Sequence, residues 1–143
     1  MSTQKYRTRI AVTLAAVMSL AAYAGGASAD DVKVKLSGDQ EVPAVKTQAS
    51  GNGTITVNAD KSVSGSVTTT GVAGTAAHIH MGASGKNGPV IIPLAKSGDS
   101  TWNVPAGAKL TDEQYKAYKA GDLYVNVHSA ENKGGEVRAQ LKP

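Results

Sequence analysis

The chain has 143 residues, of which 41% are hydrophobic and 18% charged, a composition typical of one globular domain rather than of a disordered segment. The formal net charge of +4 at pH 7 would suggest a nucleic-acid-binding protein, but three of the 15 basic residues, Lys5, Arg7 and Arg9, precede every acidic one. The remaining 12 basic residues balance 11 acidic ones, which argues against a basic surface for nucleic acid.

The N-terminus has the three parts of a secretory signal peptide. A basic start precedes an apolar run over residues 10–24, and Ala-Ser-Ala at residues 27–29 forms a cleavage site. We expect cleavage after Ala29, which leaves a mature domain of residues 30–143 in the periplasm or outside the cell. The apolar run is shorter than the roughly 20 residues that span a bilayer, and no later stretch approaches that length, so we expect no membrane span.

Cysteine and phenylalanine are both absent, and the mature part of the sequence has four aromatic residues. The core must therefore be held by Val, Ile, Leu and Ala side chains without disulfide bonds. A domain of this size buries roughly two thirds of the surface that its unfolded chain exposes, which is enough for folding without a metal.

Alternating apolar and polar residues predict short β-strands along the mature chain. The first three cover residues 32–36, 54–57 and 63–70, and a predicted hairpin turn at residues 58–61 joins the second to the third. Further strand candidates lie at residues 77–81 and 90–94, around Trp102, at residues 123–128 and at residues 137–141. We expect the last two to form a hairpin through a loop that contains Gly134 and Gly135.

One segment predicts a helix instead. Thr111 and Gln114 have the spacing of a capping box, so the helix should begin at Asp112, run to about Ala120 and stop at Gly121. Its first tyrosine, Tyr115, is interpreted as a core residue. About eight short strands with one short helix near residues 112–120 predict an all-β fold, an antiparallel Greek-key β-sandwich or barrel.

The histidines fall into two short segments. His78 and His80 are separated by Ile79, so the period of a strand places both imidazoles on one face. The third histidine, His128, lies on the polar face of a later strand, and Met81 is the only methionine of the mature chain. These side chains come together if the two strands are neighbours.

This set of side chains points to a metal site. Imidazole binds copper and zinc, thioether is selective for cuprous ion, and the sequence has no thiolate to offer, so copper fits better than zinc. We predict His78, His80 and His128 as ligands with Met81 as an optional fourth, although strict alternation sends Met81 to the opposite face. If Val127 pairs with Val137, Glu136 lies opposite His128 and is a candidate to orient its ring.

Two other interpretations of these residues stay open. The histidines could simply satisfy hydrogen bonds of nearby loops, as paired surface histidines commonly do. Catalysis has less support, because no nucleophile elbow or paired carboxylates can be picked out, and a binding protein is favoured over an enzyme.

Several separated motifs resemble, in the right order, those of the CHRD domain family, named for chordin. They are residues 36–43 (LSGDQEVP), 77–82 (AHIHMG), 88–90 (GPV), 110–111 (LT), 123–128 (LYVNVH) and 135–138 (GEVR). The resemblance covers nearly the whole mature chain and implies a secreted or periplasmic β-sandwich domain. It implies no agreed activity.

A weaker similarity links the histidines to Cu,Zn superoxide dismutase, a Greek-key barrel in which a His-x-His strand and a later Val-His strand supply copper ligands. His78, His80 and His128 would occupy comparable places, but the further histidines of the zinc site and a cysteine pair are missing. The similarity therefore favours a copper site over a dismutase, and Arg138 receives no substrate-guiding role.

The sequence thus predicts a periplasmic or secreted copper-binding protein that acts as a carrier, buffer or detoxification factor. The alternative is a metal-free extracytoplasmic module that binds another exported protein, as the chordin resemblance suggests. A copper enzyme similar to superoxide dismutase is a minor alternative.

Overall fold

A computed structural model describes residues 28–143, so residues 1–27 of the predicted signal peptide lie outside the described residues. The described part forms nine strands, one α-helix and a 3-10 turn at Gly38–Gln40. The elements are β1 (Ala29–Ser37), β2 (Ser50–Asn58), β3 (Val63–Thr70), β4 (Gly74–Met81), β5 (Val90–Pro93), β6 (Ala95–Lys96), β7 (Thr101–Asn103), α1 (Asp112–Lys119), β8 (Leu123–Ser129) and β9 (Val137–Leu141).

All nine strands belong to one sheet, in the order β5-β4-β8-β9-β1-β2-β3-β7-β6, and every pairing is antiparallel. The two edge strands, β5 and β6, are consecutive in the chain and are separated only by Leu94. The backbone amide of Leu94 donates to the carbonyl of Ala77 on β4, and Lys96 Nζ on β6 donates to the carbonyl of Gly74. The sheet therefore curves into a nearly closed barrel, which confirms the all-β prediction.

The predicted hairpin between β2 and β3 is confirmed. The carbonyl of Asn58 accepts a hydrogen bond from the amide of Lys61, and Lys61 adopts a φ of 73° to close the turn. On β1, Val32, Val34 and Leu36 face the core as the alternating pattern predicts.

The helix also follows its prediction. Thr111 Oγ1 accepts from the amide of Gln114, whose side chain accepts from the amide of Thr111, and Gly121 follows the helix with a φ of 80°. Tyr115, interpreted from the sequence as a core residue, is half-buried and packs against the core, and Tyr118 is the fully buried tyrosine of the helix.

One continuous apolar core fills the barrel, with Trp102 as its largest aromatic contribution and Val, Ile and Leu side chains from most strands. The opposite face of β8 and β9 is also buried. Tyr124, Asn126 and Arg138 are each at most 2% exposed. The sequence predicted this as a polar face, and it is in fact a polar layer covered by loops.

Within residues 28–143, no helix is long and apolar enough to cross a membrane.

Candidate metal centre

Strand alternation places the three histidines on the covered polar side of β4 and β8. Ile79 points into the core at 1% exposure, so its neighbours His78 and His80 point the other way. β8 is the neighbour of β4, with His78 opposite Asn126 and Ala76 opposite His128. His128 is therefore diagonal to His78 on the same face, and the sheet brings together the three side chains that the sequence predicted.

The ring nitrogens converge on one small volume. His78 Nδ1 lies 3.0 Å from His128 Nε2, and one nitrogen from each of the three rings can be chosen so that all lie within 4.8 Å of one another. Two nitrogens bound to one metal at about 2.0–2.1 Å are at most about 4.2 Å apart. Small side-chain adjustments therefore suffice to close the three imidazoles on a metal ion.

Backbone carbonyls fix the tautomers of two of the rings. His80 Nδ1 lies 2.9 Å from the Gly88 carbonyl, and His128 Nδ1 lies 2.7 Å from the Lys133 carbonyl. A carbonyl oxygen only accepts, so each Nδ1 carries the proton and each Nε2 keeps its lone pair. This is the arrangement by which proteins commonly orient metal-binding histidines.

The third ring, His78, forms a hydrogen bond within the cluster. Because His128 Nε2 has no proton, His78 Nδ1 donates to it across their 3.0 Å separation. A metal ion bound by these nitrogens replaces that proton. The hydrogen bond holds the two rings close together.

Burial favours the neutral form of His78 and His80. Desolvation lowers the pKa of His78, and the neighbouring His128 and His80 lower it further. Desolvation also lowers the pKa of His80, against the opposing effects of the Gly88 carbonyl and the Asn126 side chain. Neutral imidazole is the form that binds a metal, so the environment favours the competent state.

The loop of residues 82–88 supplies the Gly88 carbonyl and is held by hydrogen bonds from side chains of β9. Arg138 is 1% exposed, and its Nη2 donates to the carbonyls of Ala83 and Lys86, at 3.2 and 3.0 Å. Gln140 Nε2 donates to the carbonyl of Gly82 at 2.8 Å. These bonds hold the loop against β9 and so keep its last carbonyl on His80.

An aromatic stack connects the same elements. The His80 ring stacks on Tyr124 with an interplanar angle of 3° and a centroid separation of 4.6 Å. The Arg138 guanidinium lies 3.5 Å from the centroid of the Tyr124 ring, and the Tyr124 hydroxyl accepts from the amide of Gly88. Sequence reasoning missed this buried stack, although Tyr124 and Arg138 both stand in the motifs that carried the family resemblance.

The candidate orienting role of Glu136 is wrong. The register that suggested it is confirmed, because Val127 pairs with Val137. The Glu136 carboxylate, however, accepts a hydrogen bond from Thr47 Oγ1 at 2.8 Å, and the Lys133 carbonyl occupies Nδ1 of His128. The hairpin loop places a backbone carbonyl where the sequence suggested a side chain.

Met81 ends β4 on the same side as Ile79 and packs against the apolar core. Strict alternation thus continues to the end of the strand, and the thioether belongs to the opposite face from the imidazoles.

A shallow cleft of about 440 Å³ opens beside two of the histidines, His78 and His128. His78 and His128 are half-buried at its wall, and His80 lies deeper, with 7% exposure. Lys133 lines the same cleft beside His128. The cleft therefore gives an ion access from solvent to His78 and His128.

The fold and this cluster define a small antiparallel β-barrel domain with three histidines at one face. A family model described as the CHRD domain matches residues 32–141. The chain belongs to the CHRD domain family. No curated protein and no solved structure matches it, so the similarity to Cu,Zn superoxide dismutase rests on the two histidine motifs alone.

Proposed function

We propose that this protein is an exported copper-binding domain that carries, buffers or detoxifies the metal in the periplasm or outside the cell. The ligands in this proposal are His78, His80 and His128. The observation that carries it is that two backbone carbonyls take the Nδ1 protons of His80 and His128, which leaves Nε2 lone pairs facing a third imidazole.

The donor atoms favour copper over zinc. Divalent copper binds nitrogen ligands more tightly than zinc does, and three imidazoles without a thiolate suit either oxidation state of copper. The sequence has no cysteine that would build the sulfur-rich sites typical of structural zinc. The proposal leaves out Met81, because its side chain packs against the core.

The proposal that the protein is exported rests on the predicted signal peptide of residues 1–29 and on membership of the CHRD domain family. β1 begins at Ala29, the last residue of that segment. Cleavage after Ala29 leaves the strand from Asp30 onward to pair with β2.

The test is a titration of the purified, metal-stripped protein of residues 30–143 with cupric, cuprous and zinc ions. The wild-type protein should bind one copper ion tightly, and a variant with His78→Ala, His80→Ala and His128→Ala should not. Met81→Leu should bind as the wild type does. Gln48→Ala is the surface control, because Gln48 is exposed on another loop.

Equal and weak copper binding by the wild type and the triple variant would contradict the proposal. It would make the histidines structural and favour the alternative, a metal-free module that binds another exported protein. Tighter binding of zinc than of copper would contradict the choice of metal. Each variant is first checked for cooperative unfolding, so that loss of binding is not mistaken for loss of the fold.

A further inference from the structure

Two buried acceptor atoms beside the histidine cluster have no hydrogen-bond partner within residues 28–143. They are Nε2 of His80 and Oδ1 of Asn126, and their residues are 7% and 1% exposed. An unpaired buried polar atom is unfavourable, because it has lost its hydrogen bonds to water and gained none in the protein. A third unpaired atom, Oε1 of Glu41, lies near the other end of the Asn126 side chain, so Oδ1 and the histidine ring form a separate unpaired set.

The sheet places Asn126 among the three histidines. It lies directly opposite His78 in the β4–β8 pairing and two residues before His128 on the same face of β8. Directly opposed side chains in an antiparallel pair have Cβ atoms about 4.5–5.5 Å apart. The side chain of Asn126 is therefore within reach of the histidine cluster.

The orientation of the Asn126 side chain is fixed from its other end. Nδ2 donates to the carbonyl of Gly134, and the Glu41 carboxyl lies on that side as well, within contact of the same Gly134–Gly135 turn. With Nδ2 held there, Oδ1 is the end left for the histidines. The Asn126 and His80 side chains also lie close enough for a hydrogen bond between them.

That hydrogen bond needs a proton which neutral His80 does not have at Nε2. Nδ1 already donates to the Gly88 carbonyl, so Nε2 carries a lone pair. In the neutral protein, two acceptors therefore share one buried site without a donor. A metal ion between the two acceptors relieves this unfavourable arrangement.

We propose that Oδ1 of Asn126 is a fourth ligand of the copper centre, which gives a donor set of three imidazole nitrogens and one amide oxygen. This inference rests on the proposed function, because it needs the three histidines to bind copper. An oxygen donor suits cupric ion and does little for cuprous ion, which three imidazoles already satisfy. Asn126 would thus select the cupric state.

The test compares cupric and cuprous affinities, and the reduction potential of the bound copper, in the protein of residues 30–143. Asn126→Ala should lose at least tenfold in cupric affinity and keep its cuprous affinity. A tenfold loss confined to cupric ion raises the reduction potential by about 59 mV. Asn126→Asp supplies an anionic oxygen at the same place, so it should restore cupric affinity and lower the potential.

Asn52→Ala is the matched control, because Asn52 is exposed on β2, far from β4 and β8 in the sheet. It should leave both affinities unchanged. If Asn126→Ala does not fold, the potential of Asn126→Asp decides alone, since that side chain has the same shape.

Two results would overturn the inference while leaving the three-histidine site in place. One is an unchanged reduction potential in both Asn126 variants. The other is an equal loss of cupric and cuprous affinity in Asn126→Ala with no recovery in Asn126→Asp, which would make Asn126 a structural residue. If wild-type copper binding does not depend on the histidines at all, the proposed function fails, and this inference fails with it.

Discussion

Backbone carbonyl groups determine which ring nitrogen carries the proton in two of the three histidines. The carbonyls of Gly88 and Lys133 hold the protons of His80 and His128 at Nδ1, which turns both Nε2 atoms toward the cluster. Residue types and strand period predicted which side chains meet. They could not predict which ring nitrogen is free, because the deciding atoms belong to the backbone of two loops.

The metal-free protein should contain at least two histidines that titrate below the ordinary value of 6.5. Burial lowers the pKa values of His78 and His80, so protons bind them less readily than in the unfolded chain. Below pH 6.5 the unfolded state binds more protons, and the free energy of unfolding therefore falls as the pH falls through this window. Histidine proton resonances followed against pH check this, and a titration of either ring at or above 6.5 would contradict it.

Glu41 should show the opposite dependence on pH. Burial raises its pKa from 4.5 to about 7, against the lowering effects of Asn126 and Arg138. The folded state thus holds a proton that the unfolded chain releases between pH 4.5 and 7, and this contribution to stability is lost as the pH rises through that range. Glu41→Gln should therefore gain stability relative to the wild type by about 3 kcal/mol between pH 4.5 and pH 8.

Urea unfolding at several pH values measures this difference, with Glu131→Gln as the control because Glu131 is exposed. A constant difference between Glu41→Gln and the wild type across that range would show that Glu41 ionises normally.

Local signals determined most of the individual elements. The capping box at Thr111 and the alternation on β1 depend on neighbours in sequence, so both were predictable. The exposure of each helix or strand face was not predictable, because it depends on segments that are distant in the sequence. Tyr118 is covered where α1 meets the barrel, and the polar face of β8 is covered by loops that come from elsewhere in the chain.

A substitution at the N-cap of α1 tests whether the capping box stabilises the protein. Thr111→Ala removes the acceptor of the Gln114 amide and should lower the free energy of unfolding by about 1 kcal/mol. Gln48→Ala, at an exposed loop position, should change it by less than about 0.5 kcal/mol. Equal effects of the two substitutions in urea unfolding would mean that the capping box contributes nothing.

At the scale of the whole molecule, the barrel has an apolar interior and a second, polar layer over β8 and β9. Arg138 is the centre of that layer, since it lies over Tyr124 and donates to the loop of residues 82–88. Closure of the barrel through Leu94 was not predictable from sequence, because the pairing of the edge strands gives no local signal.

Arg138 should therefore couple stability to metal binding. Arg138→Met removes the charged donor to the Ala83 and Lys86 carbonyls and should lower the free energy of unfolding by about 2 kcal/mol. The Gly88 carbonyl then loses its fixed position, so copper affinity should fall although no ligand is changed. Lys142→Ala, at an exposed position after β9, should change neither quantity. Wild-type copper affinity in Arg138→Met would show that the loop holds its place without the guanidinium.

The central claim is that three imidazoles of one barrel face bind a single copper ion, and X-ray absorption at the copper edge tests it most directly. The protein of residues 30–143 loaded with one equivalent of cupric ion should show the multiple scattering of three imidazole rings, one oxygen and no sulfur. A spectrum with fewer than two imidazoles, or one unchanged in the triple histidine variant, would contradict the account.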